Sequence, residues 1–96
     1  MQGTRLPDGT PPRNAGEYAW MPYSTWIHKP SWFTGEGEWH VIAPDGKIGA
    51  LGRTTESKPV ADHTWVEHED GTVTFSPSLV MPSGWHGWLQ HGVFTP

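Results

Sequence analysis

Short runs in which apolar and polar residues alternate, separated by glycine and proline, form the main pattern along this chain. Alternation with a period of two is typical of strands that bury one face. The 12 glycines and 10 prolines argue against long helices, because both residues interrupt them. We therefore predict a mostly β fold, a small sandwich or partial barrel of about six or seven short antiparallel strands joined by hairpins.

Two hairpins are predicted from their turn residues. The Pro-Asp-Gly loop at 44–46 ends in a glycine suited to a left-handed conformation, and it places Ile42 opposite Ile48. The segment 85–94 carries a His-Gly pair at 91–92 between two apolar stretches, which predicts a last hairpin near the end of the chain.

A third hairpin is predicted over residues 65–75. Its Asp70-Gly71 pair is a strong signal for a two-residue turn, because type I′ geometry needs positive φ at both positions. Such a turn pairs Glu69 with Thr72. This register places four side chains together on one face: Val66, His68, Val73 and Phe75.

The chain divides by composition into an arm and a domain. Residues 1–16 are rich in proline, glycine and polar side chains, which predicts a flexible arm. Residues 17–96 are expected to form a single β domain. Within it, residues 18–33 are dense in aromatic rings, of which most should be core and some should line a pocket or a subunit contact.

Composition excludes several classes of function. The net charge is −4 with 6 Lys+Arg and no basic run, which argues against binding to DNA or RNA polymers. No apolar stretch is long enough to span a membrane, and the first residues lack the apolar core of a signal peptide. The chain has no cysteine, so we expect a cytoplasmic protein without disulfides or thiolate metal sites.

Candidate catalytic groups are sparse in the sequence. The histidine pairs 63/68 and 86/91 are each five residues apart, which sends the two rings to opposite faces of a regular strand. The carboxylates Glu36 and Glu38 share one strand face and are expected to be solvated. No nucleophile elbow, phosphate loop or metal motif is present, so we predict no catalytic residue, no metal and no cofactor.

One block of the chain carries a family resemblance. Phe-Ser-Pro-Ser-Leu at 75–79, followed by Trp-His-Gly-Trp-Leu at 85–89 and Gly92, resembles small phage and prophage proteins that often carry the label "ammonia monooxygenase". That label does not suit a chain without membrane spans or a copper-ligand pattern. The resemblance covers roughly residues 63–94. Small phage proteins of this build are also similar to anti-CBASS sponges, oligomeric β proteins that hold a cyclic-nucleotide alarm signal without cleaving it.

The resemblance implies immune evasion by sequestration of a cyclic (oligo)nucleotide, such as a cyclic dinucleotide, in the cytoplasm of an infected bacterial host. Aromatic faces stack on bases, and hydroxyl groups with an arginine bind phosphates. We expect a homo-oligomer, a dimer or tetramer. The predicted ligand-binding residues are Trp32, Arg53, Thr54, Ser76, Ser78, Trp85, His86 and Trp88.

Two other functions stay open at this point. Exposed tryptophans are typical of interaction hot spots, so the chain could be a protein-binding or virion-accessory module. A small metal enzyme that depends on His86 and His91 is the second alternative.

Overall fold

The computed structural model describes residues 1–96 and confirms a mostly β fold. The structure has more strands than the six or seven expected, because several ladders are only two residues long. A three-residue 3-10 turn, Tyr23–Thr25, is the only helical element, and no helix is long or apolar enough to cross a bilayer. The strands are β1 (Thr4–Arg5), β2 (Glu17–Pro22), β3 (Phe33–Thr34), β4 (Gly37–Ile42), β5 (Ile48–Leu51), β6 (Thr54–Thr55), β7 (Thr64–Glu67), β8 (Val73–Ser76), β9 (Leu79–Val80), β10 (His86–Gln90) and β11 (Val93–Thr95).

The strands form several small sheets that do not close into a barrel. The larger two have the orders β1-β2-β4-β5 and β11-β10-β9, and two further pairs are β3-β6 and β7-β8. All pairings are antiparallel except β1 with β2. One core lies between the sheets, and its members are Tyr18, Trp39, Val41, Ala43, Leu51, Val73, Phe75, Leu79, Met81, Leu89 and Phe94.

The N-terminal segment departs from the arm that composition suggests. Gln2 bridges to Val93, the Met1 carbonyl accepts a hydrogen bond from the Phe94 amide at 2.8 Å, and β1 then pairs with β2. The structure therefore holds residues 1–16 against the domain, where they link the two larger sheets. Backbone groups make most of these bonds, so the polar composition of the segment gave no sign of them.

The first hairpin has the predicted register, and the last hairpin forms where it was predicted. Ile42 lies opposite Ile48, and Gln90 lies opposite Val93 across a two-residue turn. Both turn residues, His91 and Gly92, have positive φ, as type I′ geometry requires.

The predicted register of the middle hairpin is wrong by one residue. The structure pairs Trp65 with Phe75, and the His68 amide donates to the Thr72 carbonyl at 2.8 Å. The loop therefore has three residues and ends at Gly71, whose φ is +85°. A one-residue shift in pairing moves every side chain of β7 to the opposite face of the hairpin relative to β8. Trp65 consequently packs on the core, while Val66 is 60% exposed.

Candidate functional site

The sheet β2-β4-β5 has a second face that is turned away from the main core. In β4, Trp39 and Val41 enter the core, so Glu38 and His40 alternate to the opposite face. Glu38 is fully buried there, which corrects the expectation that its carboxylate is solvated. A buried carboxylate is costly unless partners satisfy its oxygens.

Three side chains satisfy the Glu38 carboxylate. The Tyr23 hydroxyl donates to Oε1 at 2.7 Å. Arg53 donates from Nε to Oε1 at 2.9 Å and from Nη2 to Oε2 at 2.7 Å, which is a bidentate pair. His40 Nε2 lies 2.9 Å from Oε2. We call these four residues the Glu38 cluster.

The contacts within the Glu38 cluster keep its carboxylate ionised. Burial alone would raise the pKa of Glu38, but hydrogen bonds from His40, Arg53 and Tyr23 outweigh it and lower this pKa to about 2. Burial, and then the bond to Glu38, raises the pKa of the Tyr23 phenol. The bond to Glu38 also raises the pKa of Arg53, so this guanidinium stays charged.

A groove of about 320 Å³ runs beside the Glu38 cluster. The His40 side chain is partly exposed, at 23%. The residues opposite it on β2 and β5 are the short Ala19 and Ala50, while the Trp26 ring lies 6.1 Å from the imidazole and Glu38 engages one of its two ring nitrogens. The groove is lined by His40, Ile48, Gly49, Ala50, Arg53 and Pro82.

Three of the predicted ligand-binding residues lie together around β3 and β6. The Arg53 guanidinium carbon is 4.6 Å from the centre of the Phe33 ring, against which the exposed Trp32 packs edge-on at 6.1 Å. Thr54 pairs with Thr34 in the same small sheet. Of the eight predicted residues, Arg53 alone lines a groove.

The other five predicted residues lie elsewhere, on β8 and β10 and in the loops on either side of β9. His86 Nε2 lies 3.0 Å from the Ser78 hydroxyl oxygen, and the His86 and Trp88 rings are 5.7 Å apart on the exposed face. Trp85 instead packs on the core beside Phe94, and Ser76 is exposed at the end of β8. The residues predicted to form one site therefore occupy two places. The largest groove, about 560 Å³ beside β1, contains none of them.

Sequence reasoning missed Glu38, His40 and Tyr23. The spacing of Glu38 and His40 does put both on one strand face, which was the available signal. Tyr23 and Arg53 reach Glu38 from 15 residues away on either side. No local sequence pattern predicts that Tyr23 and Arg53 both contact Glu38.

The structure also contains a histidine pair that the strand spacing did not predict. His68 and His91 stack with ring centres 3.8 Å apart and planes inclined by 11°. The turn between β10 and β11 brings His91 to the outward face of the β7-β8 hairpin. No group of three or more His, Asp or Glu side chains is placed to hold a metal ion.

Thr74→Val should destabilise the protein by about 0.5–1.5 kcal/mol, the net contribution of a typical hydrogen bond, because the groups that lose their partner are exposed or partly exposed. The Thr74 hydroxyl accepts from the His91 amide at 2.9 Å and lies 2.7 Å from His68 Nε2. Urea unfolding would measure the loss. Thr64→Val is the matched control, because Thr64 is exposed on the same hairpin face without such bonds. Equal stability of the two variants would contradict the predicted role of Thr74.

Comparison with protein-family models, curated proteins and solved structures finds no match to this chain. The resemblance of residues 63–94 to phage proteins therefore stays a hypothesis.

Proposed function

We propose that this protein binds a small anionic ligand that carries flat rings, with cyclic dinucleotides as the ligand class, and sequesters it without turnover. The observation that carries the proposal is the fully buried Glu38 carboxylate, which orients both His40 and Arg53 at one groove. A buried ion pair is seldom the most stable choice for a core, since apolar residues often do as well. Its use here supports a role in positioning the guanidinium of Arg53 and the imidazole of His40.

The groove offers matching contacts for the two parts of such a ligand. Glu38 uses Nε and Nη2 of Arg53, so Nη1 is the guanidinium nitrogen that this pair does not engage. Because Glu38 offsets the formal charge of Arg53, a phosphate would be held here by hydrogen bonds, with Nη1 of Arg53 as a donor. Ile48, Ala50 and Pro82 supply apolar walls against which a base can pack.

The volume of the groove limits how the ligand binds. At about 320 Å³ it lies at the small end of the usual range for ligand sites, roughly 300–1,000 Å³. One phosphate and one base would fill it, and the second half of a cyclic dinucleotide would extend toward solvent. Effective sequestration needs nanomolar affinity, about −12 kcal/mol, so contacts from that second half must contribute as well.

The proposal predicts stoichiometric capture of intact ligand. Purified protein incubated with excess cyclic di-AMP or cyclic di-GMP should bind a fixed amount, measured by calorimetry. Heat or protease treatment should then release the ligand uncleaved, as judged by chromatography. Linear or monomeric product beyond one equivalent would show an enzyme instead. No binding of any cyclic dinucleotide would overturn the proposed ligand class.

A negative charge at the edge of the groove tests the location. Ile48→Glu should weaken ligand binding at least about tenfold, because the new carboxylate lines the groove and repels an anionic ligand. Val66→Glu is the matched control, since Val66 is 60% exposed against 53% for Ile48 and lies on a different sheet. Equal binding by the two variants would place the site elsewhere. Arg53→Ala is a poor test, because it also leaves buried Glu38 without its main partner.

A further inference from the structure

A small cleft of about 190 Å³ lies among β1, β2 and β7. Its lining combines two indole rings with two carboxylates and one guanidinium: Trp20, Trp65, Asp8, Glu67 and Arg5. None of these residues belongs to the groove beside Glu38. The faces of aromatic rings carry partial negative charge, and the carboxylates add formal negative charge, so the chemistry of this cleft favours a cation.

Close backbone contacts hold the two indole rings of the cleft in place. Trp20 and Trp65 pack against the core, and their ring centres are 5.6 Å apart. A β-carbon on Gly37 would lie 2.7 Å from Cζ2 of Trp20, and one on Gly52 would lie 2.5 Å from Cζ3 of Trp65. Both rings therefore lie directly against glycine backbone. A ligand would not have to order them, which lowers the cost of binding.

The two carboxylates of the cleft are only partly engaged by Arg5. The side chains of Asp8 and Glu67 are 58% and 55% exposed. Arg5 Nη2 lies 3.7 Å from Oδ1 of Asp8 and Nη1 lies 3.4 Å from Oε2 of Glu67, whereas the shortest bond of Arg5, at 3.0 Å, goes to the Gly71 carbonyl. One guanidinium beside two carboxylates leaves the cleft with a formal negative charge. The net charge of −4 on the whole chain adds to the attraction of a cation.

The position of Arg5 illustrates how this region of the molecule accommodates an organic cation. The guanidinium carbon lies 5.1 Å from the centre of the Trp39 ring, within the distance at which an indole attracts a positive charge. A carboxylate lies beside the same guanidinium. Trp20, Trp65 and Glu67 offer the same two kinds of contact, an indole and a carboxylate, to a cation that enters the cleft from solution.

We propose that this cleft binds a small organic cation with a quaternary ammonium head, such as a trimethylammonium group. Its volume is below the roughly 300–1,000 Å³ of a site for a drug-sized ligand, so it suits a head group of this size. The methyl groups would contact the indole rings while the carboxylates offset the charge. A quaternary ammonium has no N–H group, so it leaves no donor unsatisfied between two indoles. The inference does not depend on the proposed function, because the two sites share no residue.

A titration with choline chloride, followed by NMR on isotope-labelled protein, tests the site. The indole N–H signals of Trp20 and Trp65 should shift saturably, with a Kd of about 1 mM or below. The matched control ligand is 3,3-dimethyl-1-butanol, which has the shape of choline without its charge. It should bind at least about tenfold more weakly. Sodium chloride at equal ionic strength should cause no saturable shift of these two signals.

Variants at Glu67 test the contribution of charge in the cleft. Glu67→Lys should weaken choline binding at least about tenfold, because it places a positive charge beside the ligand. Glu67→Gln keeps the shape of the side chain and should weaken binding about threefold. Glu56→Lys is the matched control, since Glu56 is exposed and lines no groove. It should bind choline like the parent protein.

Three results would overturn the proposed cation site. The first is the absence of a saturable shift up to about 50 mM choline. The second is equal binding of choline and its neutral analogue, which would show an apolar pocket that does not recognise charge. The third is equal choline affinity of Glu67→Lys and Glu56→Lys, or shifts confined to tryptophans outside the cleft, which would place the site elsewhere. Because Glu67→Gln preserves the size of the side chain, its affinity decides the role of Glu67 if the lysine variant does not fold.

Discussion

Glu38→Ala is expected to lower the free energy of unfolding by about 3 kcal/mol, the lower end of the cost of breaking a buried ion pair. Removal of the carboxylate leaves the Tyr23 hydroxyl and two nitrogens of Arg53 without their acceptor. The estimate stays at the lower end because the Arg53 side chain is partly exposed and can recover some hydration. Chemical denaturation of parent and variant would measure the difference.

Two conservative variants show whether charge or shape carries the effect. Glu38→Gln keeps an acceptor for Arg53 but removes the charge, and Tyr23→Phe removes one hydrogen bond to a charged group, worth about 1.5–3 kcal/mol. The expected order of destabilisation is Glu38→Ala, then Glu38→Gln, then Tyr23→Phe. If Glu38→Ala were as stable as the parent protein, the Glu38 cluster would not contribute to stability as the geometry indicates.

Acid should remove the contribution of Glu38. Its pKa is lowered in the folded protein to about 2 from an ordinary value of 4.5, so the stabilisation is complete above about pH 4.5. It is then lost as the pH falls toward about 2, because the unfolded chain takes up the proton first. The stability difference between the parent and Glu38→Gln should therefore shrink over this range. A difference that stays constant would contradict an ionised, paired Glu38.

The fold class and two hairpins could be predicted because their signals are local. A Pro-Asp-Gly loop at 44–46 and a His-Gly turn at 91–92 each determine a register within a few residues. The Asp70-Gly71 pair fits both a two-residue and a three-residue loop. The alternation of apolar and polar residues in β7 could not decide between the two loops. Trp65 and Val66 are adjacent and both apolar, so either could have faced the core. Tertiary packing selected Trp65, whose ring lies 6.1 Å from that of Trp39.

The candidate site could be predicted only in part because its contacts are long-range. Arg53 was identified by its chemistry, yet its buried partner lies 15 residues earlier in another strand. Trp88 and His86 lie on one exposed face of β10, as alternation along a strand requires. Whether that face and Arg53 belong to one site depends on how the sheets pack. Strand alternation carries no information about that packing.

Gly87→Ala should be among the most damaging single-methyl changes in the chain, at about 3 kcal/mol or more, the upper range for overpacking. A β-carbon at this position of β10 would overlap the Thr95 carbonyl oxygen of β11, and it would lie 2.5 Å from Cη2 of Trp85. The carbonyl belongs to the backbone and cannot rotate away. Relief would require the two strands to separate or Trp85 to leave the core.

Gly49→Ala is the control that isolates this steric effect. Gly49 is also a strand glycine without positive φ, but its β-carbon would meet the terminal methyl of Met81 at 2.6 Å. Methionine is flexible and can change rotamer, so we expect a cost below about 1.5 kcal/mol. Thermal melts of the two variants should differ by several degrees, since about 1 kcal/mol shifts the midpoint of a domain this size by roughly 4–8 °C. If both melted together, β10 and β11 would not be packed as closely as the structure shows.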